Sequence, residues 1–144
     1  MVTKAKIREA AEADAAALTS LLDELGYPAS ERQTGERLQR LLADPGQRVL
    51  VAELEGEIAG VAVVQIYCVL TNDHPDCLLD VLVVAGRARR RGVGMALVEA
   101  VEEEARRRGC YRVVLESGNW RGDAHDFYRA LGYENVARGF HKLL

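Results

Sequence analysis

What this sequence lacks narrows what it can do. No run approaches the roughly 18 apolar residues needed to cross a bilayer, so no membrane partner is expected. The opening Met1-Val2-Thr3-Lys4-Ala5-Lys6 holds no long apolar stretch, which argues against a signal peptide. Positive charge is not in surplus either: 19 Lys and Arg face 22 Asp and Glu, a net charge of −3 that gives nucleic acid no electrostatic footprint. The three cysteines, Cys68, Cys77 and Cys110, are odd in number, and none stands at metal-ligand spacing. No other cluster of His, Cys, Asp and Glu has that spacing, so no metal is expected, and the expected compartment is the reducing cytoplasm. Repeats, low-complexity tracts and linkers are missing too. Residues 1–144 therefore read as a single domain, large enough to bury a core.

What is present changes period along the chain. Lys6-Ile7-Arg8 reads as a short strand. Leu18, Leu21, Leu22 and Leu25 then recur at the spacing of one helix face, and Gly26 and Pro28 stop that helix. Ser30 and Gln33 have the spacing of a capping box at the start of a second helix, whose buried face is Leu38, Leu41 and Leu42 and whose end is Asp44-Pro45-Gly46. Residues 48–54 and 58–69, rich in Val, Ile and Ala around Glu55-Gly56-Glu57, predict a hairpin. A polar loop from Thr71 to Asp76 leads to a central strand at about Cys77 to Val84. The strongest helix follows, with Val93, Ala96, Leu97, Ala100, Val101 and Ala105 on one face. Its other face pairs Glu102, Glu103 and Glu104 with Arg106, Arg107 and Arg108 at i,i+4. Residues 111–116 predict another strand. A short helix capped by Asp123 and stopped by Gly132 comes next, and a final hairpin turns around Arg138-Gly139.

The segment Arg89-Arg90-Arg91-Gly92-Val93-Gly94 carries the chemistry. It joins a buried strand to a helix start, where unpaired N–H groups and the positive end of the helix dipole form an anion site. Glycine lets the backbone approach a ligand closely. From the residues alone, a basic surface turn, a dinucleotide-binding unit closed by Glu116, and a pyrophosphate site of another kind all remain open. Against the dinucleotide unit, Leu97 stands at its third glycine position.

This segment resembles the Gln/Arg-x-x-Gly-x-Gly/Ala motif of the GCN5-related N-acetyltransferase (GNAT) family. The segment from Ala124 to Tyr133, with Phe127-Tyr128, resembles that family's carboxy-terminal motif, and the order of elements is similar over nearly the whole chain. The resemblance implies an α/β (α+β) acyl-CoA N-acyltransferase fold, with a mixed central sheet flanked by helices. It implies acetyl-CoA as co-substrate. Backbone groups of Leu82, Val83 and Val84 would hold the pantetheine arm. Arg89, Arg90, Arg91, Gly92, Val93, Gly94 and Met95 would hold the pyrophosphate, and Asn119 or Arg121 would add a contact to CoA.

Transfer needs a neutral amine and a proton for the departing thiolate, so a placed acid and base both help, and a backbone N–H can steady the oxyanion. The resemblance implies that Tyr128 is the acid, although it shares a helix face with Phe127 and Leu131 and could be a core aromatic. Asp80 interrupts an apolar strand and is the candidate base; period-two alternation sets it with Leu82 and Val84. Glu116 is the alternative base. His125 reads as solvent-facing, and Cys110 as no acyl carrier. The acceptor is expected to be a small-molecule primary amine, met by Gly26-Tyr27-Pro28, Tyr67 and the acidic cast of Asp73, Asp76 and Asp80. A peptide amino group, or a non-catalytic acyl-CoA sensor, is the rival. The family implies a homodimer formed through the carboxy-terminal strands.

Overall fold

The computed structural model describes residues 4–116, 122–137 and 139–144. Five strands run in the order β1 (Lys6–Glu9), β2 (Gln47–Leu54), β3 (Glu57–Tyr67), β4 (Asp76–Val84) and β5 (Val113–Leu115), each hydrogen-bonded to the next. The first three pairings are antiparallel. β5 is reached from β4 through a helix, and the sheet is mixed. The helices are α1 (Ala15–Leu25), α2 (Glu31–Ala43), α3 (Val93–Arg107) and α4 (Gly122–Ala130). The chain forms two compact units, Met1–Val114 and Leu115–Leu144.

Local chemistry sets the boundaries. Ser30 Oγ accepts the Gln33 N–H (3.1 Å) and Gln33 Oε1 accepts the Ser30 N–H (2.9 Å), so the predicted capping box starts α2. Gly26 ends α1 in the left-handed conformation at φ +96°. Between β2 and β3 the turn residues Glu55 and Gly56 both have positive φ, the geometry that matches the twist of a two-residue hairpin.

Gly60 fixes how α3 lies on the sheet. A Cβ there would come within 3.0 Å of the Val83 carbonyl oxygen, Leu97 Cδ1 and Val93 Cγ1, so only glycine lets the first turn of α3 sit this close to β3 and β4. Val93, Leu97, Val98 and Val101 are each at most 1% exposed beneath it. On the opposite sheet face Val51, Val61 and Val83 are buried as well. There α1 packs against β3 and β4, and α2 against β2.

Two expectations change. The last helix forms, but among the described residues no strand follows β5, so the hairpin around Arg138-Gly139 is not formed; Arg138 itself lies outside the described residues. The physical reason is visible in the exposure of Val136, Phe140, Leu143 and Leu144, which have no face to bury. Glu104, expected on the solvent face of α3, is buried, because Arg48 of β2 reaches it (3.4 Å) together with Arg107 and Arg108 from its own helix.

Candidate active site

β4 feeds the site. Leu82, Val83 and Val84 pair with Ala62, Val61 and Gly60, which holds the end of the strand in place from the β3 side. Lower down, the register slips: Val63 pairs with Val81 but Val64 with Leu79, so Asp80 is one extra residue bulged out of the ladder. The slip reverses the parity of side chains along β4. Leu82 faces with Ala62 and Leu79 with Val64, both on the α3 side, and Asp80 between Leu79 and Val81 has no partner in the ladder. Strict alternation therefore does not carry through Asp80, and its expected grouping with Leu82 and Val84 does not follow from the strand period. Its carboxylate is exposed, with no ion-pair partner among the described residues.

Beyond β4 the chain makes a 3₁₀ turn at Gly86–Ala88, and Arg89 is extended at ψ 149°. Arg90 then takes φ +63°, a left-handed conformation that costs a non-glycine residue roughly 1–2 kcal/mol. Gly92 follows at φ +80° as N-cap of α3. No side chain caps this helix, and its first internal bond runs from the Ala96 N–H to the Gly92 carbonyl (3.0 Å). The N–H groups of Val93, Gly94 and Met95 thus stand ahead of the helical ladder with the dipole behind them.

The cations of the loop are not equivalent. Arg91 donates to Glu55 Oε1 (2.7 Å), and the guanidinium holds that carboxyl below its ordinary value. Arg87 lies 3.6 Å from Glu57 and donates to the Ile58 carbonyl (2.9 Å). Arg89 and Arg90 are exposed and have no carboxylate partner among the described residues. Of the three predicted arginines, then, two offer uncommitted charge while Arg91 ties the loop to the β2–β3 turn. Glu24 of α1 braces the other side, accepting the Gly86 N–H (3.1 Å). Neither Glu24 nor Glu55 carries a sequence signal for this role. Gly60 does, as a lone glycine inside a strand pattern.

Tyr128 belongs to the second unit. It is half-buried in α4, packed edge-on against Phe127 (5.3 Å between ring centroids) and Tyr133 (6.1 Å), and its carbonyl accepts the Tyr133 N–H (3.0 Å). Gly132 closes the helix at φ +91°. Asn119 and Arg121 lie outside the described residues, as does the side chain of Asp123.

At the other end of β4, Asp76 is unavailable to an acceptor, contrary to the acidic cast expected of it. It is 2% exposed and accepts two-pronged hydrogen bonds from Arg112 (2.9 and 3.2 Å), with Tyr111 Oη at 3.4 Å. Burial pushes the Cys77 thiol up to about 12 and raises the Cys110 thiol too, so neither is poised as a thiolate nucleophile. Among the described residues no group of His, Cys, Asp and Glu could hold a metal ion, and no helix is long and apolar enough to cross a membrane.

The model of the acetyltransferase (GNAT) family matches residues 15–133. The chain belongs to the GNAT family of acetyltransferases. A GNAT enzyme takes its acetyl group from acetyl-CoA, and the uncapped α3 start beside the exposed Arg89 and Arg90 is chemically suited to the pyrophosphate of that co-substrate. The aminoglycoside N(6′)-acetyltransferase type 1 of Stenotrophomonas maltophilia is 33% identical over 92% of this chain and 88% of its own length. The thialysine N-ε-acetyltransferase of Bos taurus is 31% identical over 94% of this chain and 88% of its own. A crystal structure of a transcriptional regulator from Bacillus halodurans is 25% identical, covers 97% of this chain and 99% of its own, and superposes with a TM-score of 0.91.

Proposed function

We propose that this chain, as one N-acetyltransferase domain over residues 1–144, transfers the acetyl group of acetyl-CoA directly to a primary amine of a small molecule. The observation that carries the donor half is the uncapped start of α3 behind left-handed Arg90 and Gly92, with Arg89 and Arg90 without a carboxylate partner among the described residues. In this reading the N–H groups of residues 90–95 and those two guanidiniums hold the pyrophosphate. The Leu82–Val84 backbone aligns the pantetheine arm by strand-like pairing. β5 is three residues long against nine for β4, and Tyr111 donates to the Pro75 carbonyl (3.1 Å) at the beginning of β4, so among the described residues β5 is too short to cover the whole β4 edge.

The chemistry falls to two side chains and one backbone feature. Asp80, exposed and bulged, attracts the ammonium of the acceptor and takes its proton through water. A new N–C bond forms at the acetyl carbonyl while the C–S bond breaks, and Tyr128 Oη gives its proton to the departing sulfur. The bulge leaves strand N–H groups out of the ladder, where one can donate to the carbonyl oxygen as it gains charge. Tyr128→Phe should therefore lower kcat by about a hundredfold with little change in acetyl-CoA affinity; a wild-type rate would return Tyr128 to a packing role. The small-molecule acceptor is supported by the aminoglycoside and thialysine acetyltransferases among the relatives. The exposed apolar residues of the carboxy-terminal segment support a homodimer, and the low thiolate character of Cys77 and Cys110 suits a reducing cytoplasm.

The deciding experiment is thiol release from acetyl-CoA across a panel of amines, with calorimetric acetyl-CoA binding in parallel. Turnover on small amines supports the reading. Turnover on peptides alone moves the acceptor to a protein amino group. Tight binding without turnover on any amine favours an acyl-CoA sensor, a role to which the resemblance to a transcriptional regulator lends weight.

A further inference from the structure

Three carboxylates stand around the loop between β4 and α3, although a carboxylate beside an anion site weakens anion binding by Coulomb repulsion. Each of them holds the loop at a defined point. Glu24, in the last turn of α1, accepts the Gly86 N–H (3.1 Å). From the β2–β3 turn, Glu55 accepts from Arg91 (2.7 Å) and Glu57 lies 3.6 Å from Arg87. Arg87 also donates to the Ile58 carbonyl of β3 (2.9 Å). Glu24 and Glu57 line one cleft with Ala85 and Arg87, so the helix and the turn meet at the root of the loop.

These contacts fall on the two ends of the loop. Gly86 and Arg87 are held where the chain leaves β4, and Arg91 is held just before α3. Ala88 is 1% exposed and tucked into the core. Arg89 and Arg90 are exposed, with no carboxylate partner among the described residues. Between the held ends Arg90 takes φ +63°. A left-handed non-glycine residue persists where its surroundings over-determine it, and contacts on both sides supply that. Gly86 suits the arrangement, because a Cβ there would come within 3.3 Å of Glu24 Oε1. Exposed ion pairs add little to folding stability, so stability does not account for three acids where acid opposes binding. Fixing the shape of the loop does, since a preorganised loop loses less freedom when its ligand arrives.

Resting on the pyrophosphate reading above, we infer that Glu24, Glu55 and Glu57 are positioning residues for acetyl-CoA. They form a two-sided clamp that sets Arg89, Arg90 and the N–H groups ahead of α3 toward one anion. They act through Gly86, Arg87 and Arg91 and not on the co-substrate itself. The clamp raises affinity by shape, while its charge lowers it.

Calorimetric titration with acetyl-CoA separates shape from charge. Glu24→Gln and Glu24→Leu are both neutral and similar in size, but only glutamine keeps an acceptor for the Gly86 N–H. Glu24→Leu should bind acetyl-CoA about fivefold more weakly than Glu24→Gln, with the same Tm. On the other side, Glu55→Asn combined with Glu57→Gln removes two negative charges, which by charge alone would tighten binding. The clamp predicts the opposite sign, a Kd about threefold above wild type. Asparagine suits position 55, where φ is +56° and Gly56 follows. Equal affinities for the two position-24 variants release α1 from the clamp. A double variant that binds as tightly as wild type, or more tightly, releases the turn. Either result overturns a two-sided clamp, as does a loss of affinity matched by a loss of Tm, and all three leave the donor site standing. No binding of acetyl-CoA to the wild-type protein overturns the donor site itself, and the clamp with it.

Discussion

At Asp76, where β4 begins, charge is matched and buried: one carboxylate, one two-pronged guanidinium and a tyrosine hydroxyl close the corner between β3, β4 and the start of β5. At Val84, where β4 ends, the chain enters a loop with four arginines in five residues, only two of them answered by carboxylates among the described residues. One end is built to stay shut, because separating a buried ion pair leaves an uncompensated charge in a poorly solvated place. The other keeps positive charge, unpaired N–H groups and a left-handed non-glycine residue, all features that stabilise nothing in the protein alone and gain value when an anion arrives. The same strand therefore carries a structural terminus and a binding terminus, and they can be told apart by how charge is satisfied.

The contrast predicts a ranking of effects. The largest belongs to Asp76→Ala, which strands Arg112. Arg112 is half exposed, so the loss falls at the low end for a broken buried pair, about 3 kcal/mol, read as a lower midpoint in chemical denaturation. If stability barely moves, the shut end is no structural anchor. Next, Arg89→Ala with Arg90→Ala should leave unfolding unchanged but raise the KM for acetyl-CoA by about tenfold, the more so at low salt, because exposed charges are screened. A variant that loses stability and keeps its KM would reverse the roles of the two ends.

The smallest effect concerns Glu55. Arg91 holds its carboxyl below the ordinary value of 4.5, so the pairing contributes above that value and is lost as pH falls through the lowered one. Carboxyl titration by NMR should give a Glu55 midpoint under 4.5 that rises toward it in Arg91→Ala. A midpoint that does not move would mean that Arg91 is as free as its neighbours.

Most of the frame around the two ends was written in local pattern. The capping box at Ser30, the glycine stops at Gly26 and Gly132, and the two-residue turn at Glu55-Gly56 depend on neighbours in sequence, so they could be read directly. The loop at Arg89 was readable as an anion site for the same reason. What escaped was non-local. A bulge at Asp80 is a one-residue difference between paired strands, invisible to a period-two reading of β4 alone, and it breaks the alternation that grouped Asp80 with Leu82 and Val84. Asp76 and Asp80 look alike in sequence, yet Arg112, 36 residues on, consumes the first and spares the second. Glu104 looked solvated until Arg48 reached it across the sheet. The carboxy-terminal segment has the alternation of a hairpin, but alternation stabilises a strand only when one face has something to cover.

The central claim is that the Arg89–Met95 segment binds the pyrophosphate of acetyl-CoA, and Gly92 offers the most direct measurement. Its φ of +80° is one that Asp and Asn tolerate better than other side chains, and a Cβ there meets nothing within 4 Å, so Gly92→Asp and Gly92→Asn should both fold. Asp also suits the N-cap, so any loss of affinity cannot be blamed on the helix. Titration calorimetry with acetyl-CoA should show Gly92→Asp binding at least about thirtyfold more weakly than wild type, because a carboxylate then occupies the anion's place, with Gly92→Asn between the two and Tm unchanged. Equal acetyl-CoA affinity in all three proteins would contradict the claim.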